Sequence, residues 1–287
     1  MTPEAIIRLL TICSLAGLLF GVGLRLTWAE VSTAVRRCRL ALIIAVNFIA
    51  VPVLVVLAIR LFGLPADLSF GMLILAAAPF APVVPVFARM AFADLALAAG
   101  LTSLFPLLSA FLTPLVITVA LLAMPESASI QFGTAGALLT LLATITLPLA
   151  LGVGVNQFSP TWSRLILRPI EVISEGTGAL SLAFVTIHEG PDILATGWYP
   201  LLVMALLFEI SLALGWWIGG PDRAARQVIA LGTSNRNIAL AILIALSSFS
   251  GTKVISAVVA NGLLLIFLGL LHVAFWRFGP GRRSLSV

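Results

Sequence analysis

Nine apolar runs, each long enough to cross a lipid bilayer, follow one another with almost nothing between them. A span needs about 20 apolar residues, and more if it tilts. The runs fall at residues 5–27, 37–62, 67–91, 94–123, 133–155, 166–187, 197–219, 223–248 and 252–277. The breaks between them are short and rich in turn formers, as in Gly63-Leu64-Pro65-Ala66-Asp67, Met124-Pro125-Glu126-Ser127, Phe158-Ser159-Pro160, Glu189-Gly190-Pro191-Asp192 and Gly220-Pro221-Asp222. None is long enough to fold as a soluble domain. Charged residues make up 9% of the chain, where a water-facing surface needs about 25%. The pattern predicts an all-α integral membrane protein with one transmembrane domain over residues 1–287, surrounded by lipid. The first run, Ala5 to Leu26, lacks a small-residue cleavage site and reads as a retained helix. Cys13 lies inside an apolar run and Cys38 in a basic stretch, so neither a disulfide framework nor a metal cluster is expected.

The basic residues set the orientation. A sequence pI of about 10.5 would suggest nucleic acid in a soluble protein. Here basic residues at span ends are topology signals, and no nucleic-acid partner is expected. With nine spans, one side receives Arg25, Arg36, Arg37, Arg39, Arg89, Arg164, Arg168, Arg223, Arg226, Arg277, Arg282 and Arg283, and the other only Arg8, Arg60 and Lys253. The positive-inside rule then places the N-terminus outside and the C-terminus in the cytoplasm of a cell (inner) membrane.

Two spans look broken and alike. The third starts after Pro65-Ala66-Asp67 and meets Pro79, Pro82 and Pro85. The eighth starts after Pro221-Asp222 and meets Gly232-Thr233-Ser234-Asn235-Arg236-Asn237. Proline removes a backbone donor and clashes with the preceding turn. A polar run at membrane depth must face a cavity or a protein partner. An odd number of spans relates the two segments, so they enter from opposite faces. Interrupted spans in corresponding, inverted positions mark a transporter whose site lies where the breaks meet. Ordinary proline kinks and interhelical hydrogen bonding are the plainer alternative. That alternative accounts poorly for Arg236, because a charge at the centre of a span costs at least about 2.5–3.5 kcal/mol.

Arg236 and Glu209 are the deepest charges. Both are candidate binding residues, and the cost of isolated charges predicts that they approach each other, either as part of a site or as a structural ion pair joining spans seven and eight. Asn47, Thr102 and Asn261 are lone polar residues inside spans, readable as ligands or as interhelical hydrogen bonds. Glu171 and Glu175 are placed near the end of span six, in a local helix pair with Arg168. His188 and His272 are placed at span ends.

The chain resembles the bile acid:sodium symporter family over nearly its whole length. The resemblance is carried by Asn47, Phe48 and Pro52 of the second span, the loop GLPAD leading into LSFGMLILAAAP, the segment ADLALAAGLTSLFPLLSAFLTP and the motif TSNRNIALAI. It implies a core domain (residues 37–123 and 197–277) with two crossing broken helices, and a panel domain (5–27 and 133–187) that rocks against it. The nine spans correspond to a family layout without its first span. The family's sodium ligands lie in a Pro-Gly-Gly-Thr-x-Ser-Asn break and a Glu-x-Gly-x-Gln-Asn break. Here the first reads Pro79-Phe80-Ala81-Pro82-Val83-Val84-Pro85, so the Ser-Asn pair is Val84-Pro85. A ligand serine is Ala98, while Thr102 matches a ligand threonine. In the second break the glutamate position is Gly232 and the glutamine position is Arg236; only Asn237 is kept.

The sequence reading is therefore a secondary transporter for a small organic anion, working by alternating access and without sodium. The candidate substrate site is Arg236, Asn235, Asn237, Ser234, Thr233, Glu209, Pro79, Pro82, Pro85, Thr102, Asn47 and Asn261. No cofactor and no metal site are expected. A sodium-dependent symporter with an altered ion site and a passive channel are the alternatives. An enzyme is not expected, since neither His-Glu-x-x-His nor Gly-x-Ser-x-Gly occurs. An arsenite-type exporter would want a thiolate at the crossing, and both cysteines lie elsewhere.

Overall fold

The computed structural model describes residues 2–26, 38–124, 132–249 and 251–278. Arg36, Arg37, Arg282 and Arg283, four of the basic residues used for orientation, lie outside the described residues, as do Pro125, Glu126 and Ser127. The described residues are helical, with no strand among them. Seven helices are long and apolar enough to cross a membrane: α1 (Pro3–Arg25), α2 (Leu40–Phe62), α5 (Leu95–Leu122), α6 (Thr134–Phe158), α7 (Pro160–His188), α9 (Trp198–Ile218) and α12 (Val254–Phe278). Two further spans are each split into half-helices. The third is α3 (Ala66–Ala76) and α4 (Val84–Ala91), and the eighth is α10 (Arg223–Ser234) and α11 (Ile238–Ser248). A short α8 (Gly190–Leu194) follows α7. Seven whole spans and two broken ones give the nine read from the sequence.

Local chemistry sets the ends. Thr2, Asp94, Asp222 and Asn237 each accept a hydrogen bond from the backbone N–H three residues on, and so start α1, α5, α10 and α11. Gly63, at φ 58°, closes α2 in the left-handed conformation. Pro52 and Pro148 each follow a π-helical turn, Val46–Ala50 in α2 and Leu142–Thr146 in α6, which absorbs the missing amide donor.

Span six is longer than its apolar run. Helix α7 begins at Pro160, six residues before the predicted boundary, because Pro160 suits a first helical turn. Glu175 therefore lies halfway along α7 rather than near its end.

Helix α1 packs chiefly against α6 and α7. It crosses α6 at Gly23 and Gly152, where a Cβ on either would run into the other helix's backbone. Small residues permit such close crossings when no hydrophobic effect drives helices together in lipid. The half-helices are packed inside the remaining spans. All of Ser69 to Ala76 in α3 and Gln227 to Ser234 in α10 are buried, whereas α7 is mostly exposed to its surroundings.

Candidate functional site

The two broken spans meet at their breaks. Pro79 and Arg236 form an isolated antiparallel bridge. The amide of Phe80 donates to the Gly232 carbonyl at 3.2 Å, Ala81 to Asn235 at 3.2 Å, and Asn237 to Ala78 at 2.7 Å. Helix breaks inside a membrane protein orphan backbone groups, and each break here satisfies the other. The two breaks thus cross as predicted, with small differences of register: Pro85 sits in the first turn of α4, and Thr233 and Ser234 complete α10.

Phe80 is wholly buried and holds φ at 58°, a left-handed conformation rare for a bulky residue. Its ring stacks on Phe105, with centroids 4.1 Å apart. The same ring fills the space that any side chain at position 232 would occupy. Phe80 and Gly232 are therefore a complementary pair.

Arg236 is buried, with a relative exposure of 4%. Its Nη1 donates to the Ala76 carbonyl at 3.2 Å, at the C-terminal end of α3. That end carries the negative pole of the half-helix, where a cation is favoured. Its Nη2 has no partner. The predicted approach of Glu209 does not occur. The Glu209 carboxylate is about half exposed on α9 and lies 3.3 Å from His272 Nε2 on α12. His272 sits inside the span rather than at its end, where it supplies a nearer polar partner than Arg236. The backbone carbonyls at the end of α3 take over the role given to a carboxylate, which a sequence pattern cannot display.

Arg236 borders a cavity of about 340 Å³ between the crossing and the α1–α7 pair. The crossing contributes Ala81, Pro82, Val83 and the run Asn235 to Ala239, and α1 and α7 contribute Thr11, Ser14, Glu175 and Ser181. Asn235 Oδ1 is buried without a partner, while its Nδ2 donates to the Leu231 carbonyl at 3.1 Å. Asn237 spends its side chain capping α11, accepting from the Leu240 amide at 3.1 Å. The cavity thus meets the positive N-terminal end of α11 beside the guanidinium. On the opposite wall, Thr11 and Ser181 bond each other at 2.9 Å, and Ser14 donates to the Ser174 carbonyl at 2.9 Å.

The remaining predicted residues stand behind the crossing. Asn47 donates to Thr233 Oγ1 at 3.2 Å and to the Ile43 carbonyl at 3.0 Å, an interhelical bond rather than a ligand position. Ser234 donates to the Ala230 carbonyl at 2.9 Å. Thr102 is buried with its hydroxyl unpartnered and lines neither the main cavity nor its smaller neighbour. That neighbour, of about 30 Å³, is bordered by Ser211, Ser234, Arg236 and Asn261, whose Oδ1 is also unpartnered. It has room and polar partners for one water. Glu209, Pro79 and Pro85 line neither cavity. The residues missed by sequence reasoning are Thr11, Ser14, Glu175 and Ser181. Thr11, Ser14 and Ser181 lie on α1 and α7 among apolar neighbours and carry no motif; only Glu175, a carboxylate inside a long apolar helix, offered a signal. Glu171 is paired with Arg25 of α1 at 2.9 Å rather than with Arg168, since α1 packs along this face of α7.

Comparison with known proteins identifies the family. A model of the Sodium Bile acid symporter family matches residues 12–196. The chain belongs to this family. It is accordingly a multi-pass membrane protein of a transporter family. Among curated proteins, it is 22% identical over 289 residues to the probable sodium/metabolite cotransporter BASS3, chloroplastic, of Arabidopsis thaliana, an alignment covering 96% of this chain. The chain spans 63% of that relative's length.

Proposed function

We propose that the chain is a carrier of small organic anions that binds the substrate carboxylate at Arg236 and does not use sodium. The observation that carries this reading is the free Nη2 of a buried guanidinium at the wall of a 340 Å³ cavity. A planar guanidinium donates parallel hydrogen bonds to a carboxylate, and the N-terminal end of α11 adds favourable potential on the same side. The volume lies in the range of small-molecule sites.

The case against sodium rests on Phe80 and Gly232. The family pattern carries glycine at the first of these positions and glutamate at the second. Here the Phe80 ring occupies the room that a carboxylate side chain at 232 would need. The charge of Arg236 lies at the α3 C-terminal end, where a bound cation would otherwise balance the half-helix carbonyls. At about 4 Å and an effective dielectric of about 20, a second cation would be repelled by about 4 kcal/mol.

Alternating access would be a rocking of α1, α6 and α7 (the panel) against the other spans (the core). Among the described residues, every side-chain hydrogen bond between these groups lies toward the membrane face at which α1 begins. Arg8 donates to the Leu246 carbonyl at 2.7 Å and the Thr118 and Thr134 hydroxyls meet at 2.7 Å; in the segment that follows α7, Glu189 accepts from Ser256 at 2.5 Å and Asp192 from Lys253 at 2.8 Å. These contacts close one face, and the positive-inside rule makes that face external.

The test is carboxylate affinity of the purified protein in sodium and in choline buffer, with counterflow in proteoliposomes. Equal affinity within about threefold and substrate-accelerated exchange are expected. A tenfold loss in choline overturns sodium independence in favour of a sodium-coupled symporter, and flux without counterflow overturns the carrier in favour of a channel.

A further inference from the structure

Building on the anion reading, we propose that Glu175 is a second recognition pole, and that the preferred substrates are zwitterions whose ammonium and carboxylate groups are separated by an aliphatic chain. Glu175 is an exposed residue halfway along the spanning helix α7, and lines the same cavity as Arg236 from the opposite wall. Among the described residues its carboxylate has no hydrogen bond and no ion pair. The nearest charges on its own helix are otherwise engaged or turned to the surface: Glu171 is held by Arg25, and Arg168 lies two helical turns toward the end of α7. An ionisable side chain at this depth faces a cavity for a reason other than packing.

One wall thus carries a carboxylate without a protein partner, and the other a guanidinium whose buried Nη2 has none. Of the neighbouring hydroxyls, Thr11 and Ser181 bond each other and Ser14 donates to the Ser174 carbonyl. Between the poles the lining is aliphatic, with Leu182, Ile238, Ile242 and Leu265. A plain carboxylate would satisfy Arg236 and leave the cavity with an unbalanced negative charge at Glu175. A zwitterion satisfies both ends, and the chain between them covers the apolar lining. Because the poles belong to facing walls, an ω-amino acid fits this arrangement better than an α-amino acid, whose charges sit on adjacent carbons.

The test uses the full chain, purified in detergent for binding and reconstituted for uptake. The probes are the ω-amino acids from 3-aminopropanoate to 8-aminooctanoate, each compared with the unsubstituted carboxylate of equal length. At the best length, the amino acid is expected to bind at least tenfold tighter than its plain partner. Glu175→Gln should reduce that ratio to within threefold. Glu175→Asp, one methylene shorter, should keep a preference and move the optimum to a longer amino acid. A structural role for Glu175 would not shift a chain-length optimum. If amino acids and plain carboxylates bind alike, and Glu175→Gln leaves their ratio near one, the second pole is overturned while the anion site stands. If plain carboxylates are preferred and their uptake is driven by a pH gradient that Glu175→Gln uncouples, Glu175 is a proton acceptor and the proposal is overturned. If no member of either series binds, the anion reading of Arg236 fails with it.

Discussion

Arg236 is a cation buried at the crossing, and its surroundings show how such a charge is tolerated. One nitrogen is held by the α3 end and the other is buried without a protein partner, on a residue that lines the cavity. Arg236→Ala leaves the Ala76 carbonyl and the crossing without their donor. Removing a group hydrogen-bonded to a buried acceptor costs about 1–3 kcal/mol, so both a lower melting temperature and at least a tenfold weaker carboxylate affinity are expected in thermal-shift titrations. Arg236→Lys should recover stability better than affinity, because an ammonium restores the charge and not the fork. Phe80 and Gly232 give a second prediction. Holding a bulky residue at positive φ costs about 1–3 kcal/mol, offset here by burial against Phe105. Gly232→Glu alone should strongly destabilise the protein, and adding Phe80→Gly should recover part of the loss. A coupling energy of about 0.5–3 kcal/mol in a double-mutant cycle is expected, and additive effects would show that the ring and position 232 are independent.

Most elements were readable because lipid imposes a simple rule on a helix: enough apolar residues to span, then a turn. The broken spans were readable from Pro79, Pro82 and the TSNRN cluster, since both disrupt a helix by known chemistry. Helix α7 was read too short because Pro160 to Leu165 is not an apolar run, although it is good helix-starting sequence. That one boundary moved Glu175 from near a helix end to halfway along the helix. The close crossing of α1 and α6 depends on Gly23 and Gly152. Gly152→Val should cost about 1–3 kcal/mol by overpacking, read as a lowered melting temperature, whereas the same change at Gly154, which faces open space, should be tolerated.

At the scale of the molecule, the proposed rocking motion would break polar contacts that gather at one end of the bundle. Lys253 is the exposed member that can be tested by charge. Asp192 holds the Lys253 ammonium above its ordinary value of 10.5, chiefly by the hydrogen bond and then by its charge. A raised lysine favours the paired state below that ordinary value, and the advantage is lost as pH rises through the higher folded value. The contact should therefore persist at neutral pH and weaken only in strong alkali. Lys253→Glu should increase labelling of a cysteine placed at Ile242 by a membrane-impermeant thiol reagent from that face. The swap Asp192→Lys with Lys253→Asp should reverse the increase. Equal labelling in all three proteins would remove this pair from the gate.

The sequence by itself determined that the chain lives in a membrane, crosses it nine times and breaks two spans, because hydrophobic length, charge placement and proline act locally along the chain. It also marked Arg236, since a buried guanidinium is costly wherever it lies. Only the tertiary structure decided what that charge meets. Glu209, equally deep by sequence, turned outward to His272, while the carbonyl end of α3 and an empty-walled cavity took its expected place. Glu175 became part of the site through the packing of α1 and α7 against the crossing. Depth along a span can be counted from the sequence, but the face a side chain presents and the helix opposite it depend on rotation and contact between elements far apart in the chain.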